Sequence, residues 1–121
     1  MTAGDGAVLA TAGNRVEGDC DASAHAELLA LRSASAARGS PRLDDCDLWV
    51  TLEPCPMCAA AAALFRVRRI LFGAYDPKGG GIEHGARVFA TAANLHKPEV
   101  VGGKQEREAA ALLRAFFAAR R

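Results

Sequence analysis

Two short segments of this chain hold residues whose types and spacing could do chemistry: His25-Ala26-Glu27 and Pro54-Cys55-Pro56-Met57-Cys58. Cys55 and Cys58 are three apart, so on a first helical turn their sulfurs project from nearly the same face. The amino terminus of a helix favours negative charge and stabilises thiolates, the form in which sulfur binds a metal. A third ligand from His25 would complete a two-sulfur, one-nitrogen zinc site. Three protein ligands leave one tetrahedral position open, and an open position marks a catalytic rather than a structural zinc. Zinc lowers the pKa of a bound water from about 15.7 to roughly 7, so hydroxide becomes available at neutral pH. Glu27 is too close to His25 in sequence to be an ordinary extra ligand. Beside such a water it could take a proton and deliver it to a leaving amine. This is equipment for hydrolytic deamination, with one zinc ion per chain and Glu27 as the catalytic proton shuttle. Two plainer readings use the same residues: a Cys-x-x-Cys redox pair, or a structural zinc closed by a fourth ligand from His84, His96, Cys20 or Cys46. The histidine–acid pair upstream of the cysteines argues against the first. Cys20 and Cys46 read as small packing residues, and His84 and His96 as core or surface residues.

The elements that must position these groups can be read from the pattern. A Gly4-Asp5-Gly6 turn precedes a short strand over Ala7–Thr11, and Arg15 to Asp21 forms a polar loop. A helix from about Ala24 to Ala37 follows, capped by Asp21 or Ser23 and ended at Gly39-Ser40-Pro41. Asp47–Leu52 reads as a buried strand. Pro54-Cys55-Pro56 then opens a second helix, Pro56 to about Phe65, where proline suits the first turn because its missing N–H costs nothing. Arg69–Tyr75 is a further strand, Asp76–Gly85 is glycine-rich and irregular, and a weak strand covers Glu99–Val101. The last helix runs from about Gln105 to Ala119, with Leu112, Leu113, Phe116 and Phe117 on its apolar side. Alternating strands and helices predict an α/β layered domain with a largely parallel sheet. Both chemical segments then fall at helix starts beyond the carboxyl ends of strands, where such sheets bind ligands.

At 121 residues the chain has the length of a single domain, residues 1–121. Apolar residues make up 50% and charged residues 24%, which excludes disorder as a general description. Fifteen basic against fourteen acidic side chains give net +1, so charge alone neither proposes nor excludes a nucleic acid. The longest apolar run, Met57–Phe65, is about half of a membrane span, so no membrane is expected. The start Met-Thr-Ala-Gly-Asp-Gly is unlike a secretory signal, and a cytoplasmic location is expected.

An H-x-E segment followed by P-C-x-x-C is the signature of the zinc nucleobase deaminases, and the chain resembles the cytidine/deoxycytidylate deaminase superfamily. Within it the chain is most similar to the bacterial tRNA-specific adenosine deaminases. The matching residues include Leu48-Trp49-Val50-Thr51-Leu52-Glu53-Pro54, Phe72-Gly73-Ala74-Tyr75-Asp76-Pro77-Lys78-Gly79-Gly80 and Ala111-Leu112-Leu113-Arg114-Ala115-Phe116-Phe117. The resemblance implies a three-layer α/β/α cytidine-deaminase-like fold with a mixed central sheet. It implies zinc on His25, Cys55 and Cys58, and deamination of adenosine to inosine at the wobble position of tRNA. Substrate contacts fall to Asn14, Ala26, Asp76, Lys78 and Phe117, with Arg120-Arg121 beside the RNA. The partners implied are a tRNA anticodon loop and a second copy of the chain; no DNA is expected. The alternative within enzymes is a deaminase of a free base or nucleoside such as guanine, cytosine or cytidine, and outside enzymes a zinc-stabilised RNA-binding module. Arg66, Arg68 and Arg69 read as a solvated strand edge that could attract phosphate. The Ala59–Ala63 run suits either a helix-mediated dimer or close packing within the chain.

Family members begin with a helix and a strand that this chain lacks, which suggests a start codon placed downstream of the true one, or a fragment. That first strand lies between the second and third in the family's sheet, so an interior gap is expected, with only Met1-Thr2-Ala3 before the Gly-Asp-Gly turn.

Overall fold

The computed structural model describes residues 1–91 and 96–119. Arg120 and Arg121, expected beside the RNA, lie outside the described residues. Among the described residues three helices and three strands follow in the order α1 (Ala26–Arg38), β1 (Asp47–Leu52), α2 (Pro56–Leu64), β2 (Arg69–Ala74), β3 (Glu99–Val101) and α3 (Glu106–Ala118), with a 3-10 turn at Val88–Ala90 between β2 and β3. The strands pair in the order β1-β2-β3, both pairs parallel, with Asp47 opposite Arg69 and Arg69 opposite Glu99.

Side chains of a strand alternate between faces, and the two faces meet different helices. Leu48, Ile70 and Phe72 point into the main core with Leu31 and Ala34 of α1 and Ala59 and Ala62 of α2. Four of the five alanines of α2, Ala59 and Ala61 to Ala63, are buried within the chain, and Ala60 is half-buried. The other face carries α3. It crosses β2 where a Cβ on Gly73 would collide with the Cβ of Ala109 and stand 2.9 Å from the Thr51 carbonyl oxygen. Only glycine lets the helix approach so closely. Of α3 only Ala109 is buried; Leu112, Phe116 and Phe117 stand exposed. Trp49 on the same face is half exposed, and its indole N–H donates to Thr2 Oγ1 at 2.9 Å.

The amino end is better ordered than the sequence suggested. Thr2 sits between Val8 and Asp47 as an isolated antiparallel bridge to each, beside a sheet whose three strands are all parallel; of the mixed sheet expected, the described residues hold the antiparallel part only as these bridges. Thr2 N–H donates to the Asp47 carbonyl at 2.9 Å and Asp47 N–H returns the bond at 2.8 Å. The three residues before the turn therefore supply the partner expected to be missing. The strand expected over Ala7–Thr11 is reduced to the single bridge at Val8. α1 also starts later than expected: His25, not Asp21 or Ser23, is its N-cap, because Asp21 Oδ1 instead accepts from Ser23 N–H (2.9 Å) and Oγ (2.7 Å) in a local turn. At the other end Gly39, at φ 63°, closes the helix with the paired carbonyl bonds of a Schellman motif.

Two more expectations are corrected. Cys20 is exposed, with a left-handed backbone (φ 49°), and packs nothing; Cys46 is fully buried as expected. Arg68 and Arg69 are not free for phosphate. Both guanidinium groups fork onto the buried Asp47 carboxylate, at 3.0 and 2.8 Å for Arg68 and 3.2 and 2.7 Å for Arg69. Among the described residues no helix is long and apolar enough to cross a membrane.

Burial pushes the Asp47 carboxyl up, but the guanidinium hydrogen bonds outweigh it and hold it at about 2, below the ordinary 3.8. The stability this supplies is complete above about pH 5 and is lost as pH falls toward 2. Because the arginines are 42% and 34% exposed and partly screened, Asp47→Asn should cost about 1–2 kcal/mol at pH 7. It should also flatten the acid limb of a stability–pH curve from urea titrations; an acid limb like the wild type's would show that the pair contributes nothing.

Candidate active site

The site is built at the first turns of α1 and α2. His25 and Cys55 are the N-caps, with β-region backbone (ψ 147° and 169°), and neither makes a side-chain capping bond. The imidazole and the thiol are thereby left free for other partners. Pro56 presets the first turn of α2, and one turn along, Cys58 points to the same side as Cys55. His25 Nδ1 lies 3.5 Å from Cys55 Sγ and 3.7 Å from Cys58 Sγ, and the three atoms lie within 4.8 Å of one another.

Those distances test whether the residues fit a metal. For zinc–sulfur and zinc–nitrogen bonds of about 2.3 and 2.05 Å at a tetrahedral angle, the nitrogen–sulfur edge is about 3.6 Å. Both nitrogen–sulfur edges already have that length, and two thiolates with one imidazole are a donor set zinc prefers. The structure therefore fits the group. Among the described residues no fourth His, Cys, Asp or Glu joins the cluster, which removes the structural zinc reading. His84 and His96 are engaged elsewhere, His84 Nδ1 with Glu53 Oε1 at 2.8 Å and His96 Nε2 donating to the Val67 carbonyl at 2.8 Å.

Glu27, in the first turn of α1, is half-buried on the same side. Burial pushes the Cys58 thiol up, and the neighbouring Glu27 carboxylate and Cys55 push it further. A cation placed among these groups reverses that balance, because it favours the deprotonated sulfur. The acid expected to move protons thus stands against a sulfur of the triangle.

The other expected site residues supply no atom to the triangle. Ala26 is the first residue of α1, between His25 and Glu27. Asn14 is exposed and its Oδ1 accepts the Val16 N–H at 2.9 Å, while the next residue, Arg15, donates to the Ala24 carbonyl at 2.9 Å. That bond fastens the asparagine's loop to the residue preceding His25. Asp76 Oδ1 accepts the N–H groups of Lys78 (3.1 Å) and Gly79 (2.9 Å), so its side chain shapes its own turn; Lys78 is exposed. Phe117 lies on α3, outside the cluster, edge-on to Phe116 at 5.3 Å.

Sequence reasoning gave Glu53 no role and read His84 only as a possible fourth ligand or a core or surface residue. Glu53 is buried at the end of β1, and its carboxylate receives the N–H groups of Asp76 (3.1 Å), Ile82 (3.2 Å), Glu83 (2.9 Å) and His84 (3.0 Å) besides the His84 ring. Burial pushes this carboxyl up, but the His84 and backbone hydrogen bonds hold it below the usual range. The available signal was an acid directly after an apolar strand and before proline, with three consecutive glycines downstream.

Comparison with known proteins agrees with this architecture. The sequence family described as MafB19-like deaminase matches residues 1–121. The chain is 49% identical over 117 residues to the tRNA-specific adenosine deaminase of Agrobacterium fabrum, covering 97% of this chain and 77% of that protein. It is similar to a solved structure from work on A-to-I editing by tRNA:A34 deaminases at the wobble position, with TM-score 0.86, 48% identity, and 89% and 78% of the two chains covered. A guanine deaminase structure from Nitrosomonas europaea is more distant, at TM-score 0.74 and 26% identity over 88% of this chain and 64% of that one. The chain belongs to the deaminase family that includes the tRNA-specific adenosine deaminases.

His25→Ala and Cys58→Ser should each weaken zinc binding by more than about 100-fold in a competitive chelator titration, because ligand losses exceed the 10- to 100-fold typical of outer-shell partners. Far-ultraviolet circular dichroism should stay that of the wild type. Retained affinity in either variant would separate that residue from the metal.

Proposed function

We propose that this chain hydrolytically deaminates adenosine to inosine at the wobble position of a tRNA anticodon loop. The observation that carries the reading is the His25–Cys55–Cys58 triangle of tetrahedral size with the Glu27 carboxylate against it. When bound there, zinc supplies a Lewis acid strong enough to ionise water near neutral pH. Glu27 takes the proton released from that water and passes it to the exocyclic nitrogen. A carbon–oxygen bond forms at C6, the carbon–nitrogen bond breaks, and adenosine plus water becomes inosine plus ammonia. The base must leave its stack to enter the site, and an anticodon loop permits this at a cost of about a few kcal/mol.

The choice of tRNA is supported by the 49% identity to a tRNA-specific adenosine deaminase, against 26% to a guanine deaminase. Asn14 and Ala26 would contact the target nucleoside; Asp76, Lys78 and Phe117 would border the RNA strand, with Asp76 acting through the turn it builds. A homodimer in the cytoplasm is part of the same reading, as is one zinc ion per chain. The exposed Met57 and Leu64 of α2 leave that helix an apolar outer side, which a second copy would cover.

Zinc-loaded protein incubated with an anticodon stem-loop, and separately with guanine, cytosine and cytidine, tests the substrate. Inosine in the stem-loop is expected; ammonia from the small molecules alone would reject the tRNA reading. Glu27→Gln should keep its zinc and lose about 10²–10⁴ in kcat. Full activity in that variant would remove Glu27 from the chemistry.

A further inference from the structure

Among the described residues only two charged residues are buried, Asp47 and Glu53, and only Asp47 is matched by arginine. Glu53, whose side chain is 0% exposed, is neutralised by four backbone N–H groups and one imidazole. Three consecutive amides, those of Ile82, Glu83 and His84, converge on Oε2; Asp76 N–H and His84 Nδ1 take Oε1. All five donors come from one segment, 76–84, which has no regular structure. Hydrophobic burial does not hold that segment, since Ile82 is its one buried large apolar side chain. A buried carboxylate with its lone pairs filled by amides is a strong, directional anchor.

The anchored segment abuts the metal-ligand turn. Gly81 N–H donates to the Pro54 carbonyl at 2.8 Å. A Cβ on Gly81 would stand 2.5 Å from Pro56 N and 2.8 Å from the Cys55 carbonyl carbon; on Gly80 it would stand 2.5 Å from Glu53 Oε2. The glycines exist so that the loop can lie on the backbone of Cys55 and Pro56. At its other side Glu53 is fixed to β2 by its own N–H, 2.8 Å from the Ala74 carbonyl. One carboxylate therefore ties the carboxyl edge of the sheet, the loop and the ligand-bearing turn together.

We infer that Glu53 is a positioning residue of the deaminase: through its five hydrogen bonds it holds loop 76–84 as a fixed wall beside Cys55, against which the RNA substrate is seated. This rests on the function proposed above. It places Glu53 in substrate binding rather than in the chemical step, because Glu53 supplies no atom to the triangle and all five of its side-chain hydrogen bonds go to the loop.

Three zinc-loaded variants and the wild type test it: Glu53→Gln, His84→Ala and the double variant. Each is assayed for zinc per chain, for kcat and KM on an anticodon stem-loop, and for amide hydrogen exchange at residues 82–84. A glutamine turns two N–H donors toward donors of the loop. Glu53→Gln should therefore keep its zinc and its kcat while KM rises about tenfold or more and exchange at 82–84 accelerates. His84→Ala removes one donor of five and should raise KM by about two- to fivefold; added to Glu53→Gln it should add nothing, because the bond is already lost. Should Glu53→Gln not fold, His84→Ala carries the same decision alone. Unchanged KM in a folded variant with accelerated exchange would make Glu53 a folding staple only and overturn the inference, as would slow exchange with unchanged KM. Loss of zinc or of kcat with KM unchanged would also overturn it, by placing Glu53 in the metal site. A wild type that makes no inosine while exchange at 82–84 still responds to Glu53→Gln would sink the proposed function and leave the anchoring itself standing.

Discussion

The spacing of three atoms governs this molecule. His25 Nδ1 must come to within tetrahedral distance of two sulfurs that lie thirty residues away in sequence. Helix amino termini are suited to this, because their first residues are defined in direction by caps while their side chains remain free. Both ligand segments use that device: the N-caps His25 and Cys55 leave their helices' capping duty undone and face each other instead. The uncapped N–H groups and the helix dipoles add a positive potential that suits anionic sulfur. The alanines of α2 serve the same end. Side chains no larger than a methyl let α2 sit close enough to α1 and the sheet for the two helix starts to meet.

β1 connects this site to the rest of the fold through the acid at each of its ends. At its start Asp47 is held by two arginines at the edge of the sheet, where guanidinium groups can reach water with their remaining donors. Just past its end Glu53 has no arginine or lysine paired with it among the described residues and is satisfied by amides and the His84 ring. The difference is physical. An arginine at the carboxyl edge would set a permanent positive charge near a cluster that could hold a cation, whereas backbone amides neutralise the carboxylate with dipoles that fall off over a short distance. The irregular loop then becomes a rigid part of the site although it has little core of its own.

The sequence-based reading went furthest where chemistry and local pattern coincide. The helix start at Pro56, the strands at 47–52 and 99–101, a strand from 69 that ends one residue earlier than expected, and the final helix could be assigned because proline, β-branched runs and apolar periodicity are local signals. The triangle was legible for a related reason: a Cys-x-x-Cys pair and an H-x-E segment have few other uses in one chain. Asp76 was harder. Its side chain builds its own turn, and nothing in the spacing of Asp76-Pro77 separates a turn former from a residue that touches RNA.

By itself, then, the sequence singled out His25, Cys55 and Cys58 as a group that could hold a metal, the acid near them and the order of elements that carries them, since each motif depends on residues close together in the chain. Only the tertiary structure decided which charges are buried. Arg68 and Arg69 look like a solvated edge until the parallel register sets Asp47 against Arg69. Glu53 looks like one more strand-end acid until Asp76, 23 positions away, and residues 82–84, 29 to 31 positions away, fold back onto it. The three residues before Gly4 look too few to pair until Thr2 fits between Val8 and Asp47. In each case the deciding partner is distant in sequence, and the free energy of a buried charge or an unpaired backbone group depends on what the completed fold places next to it.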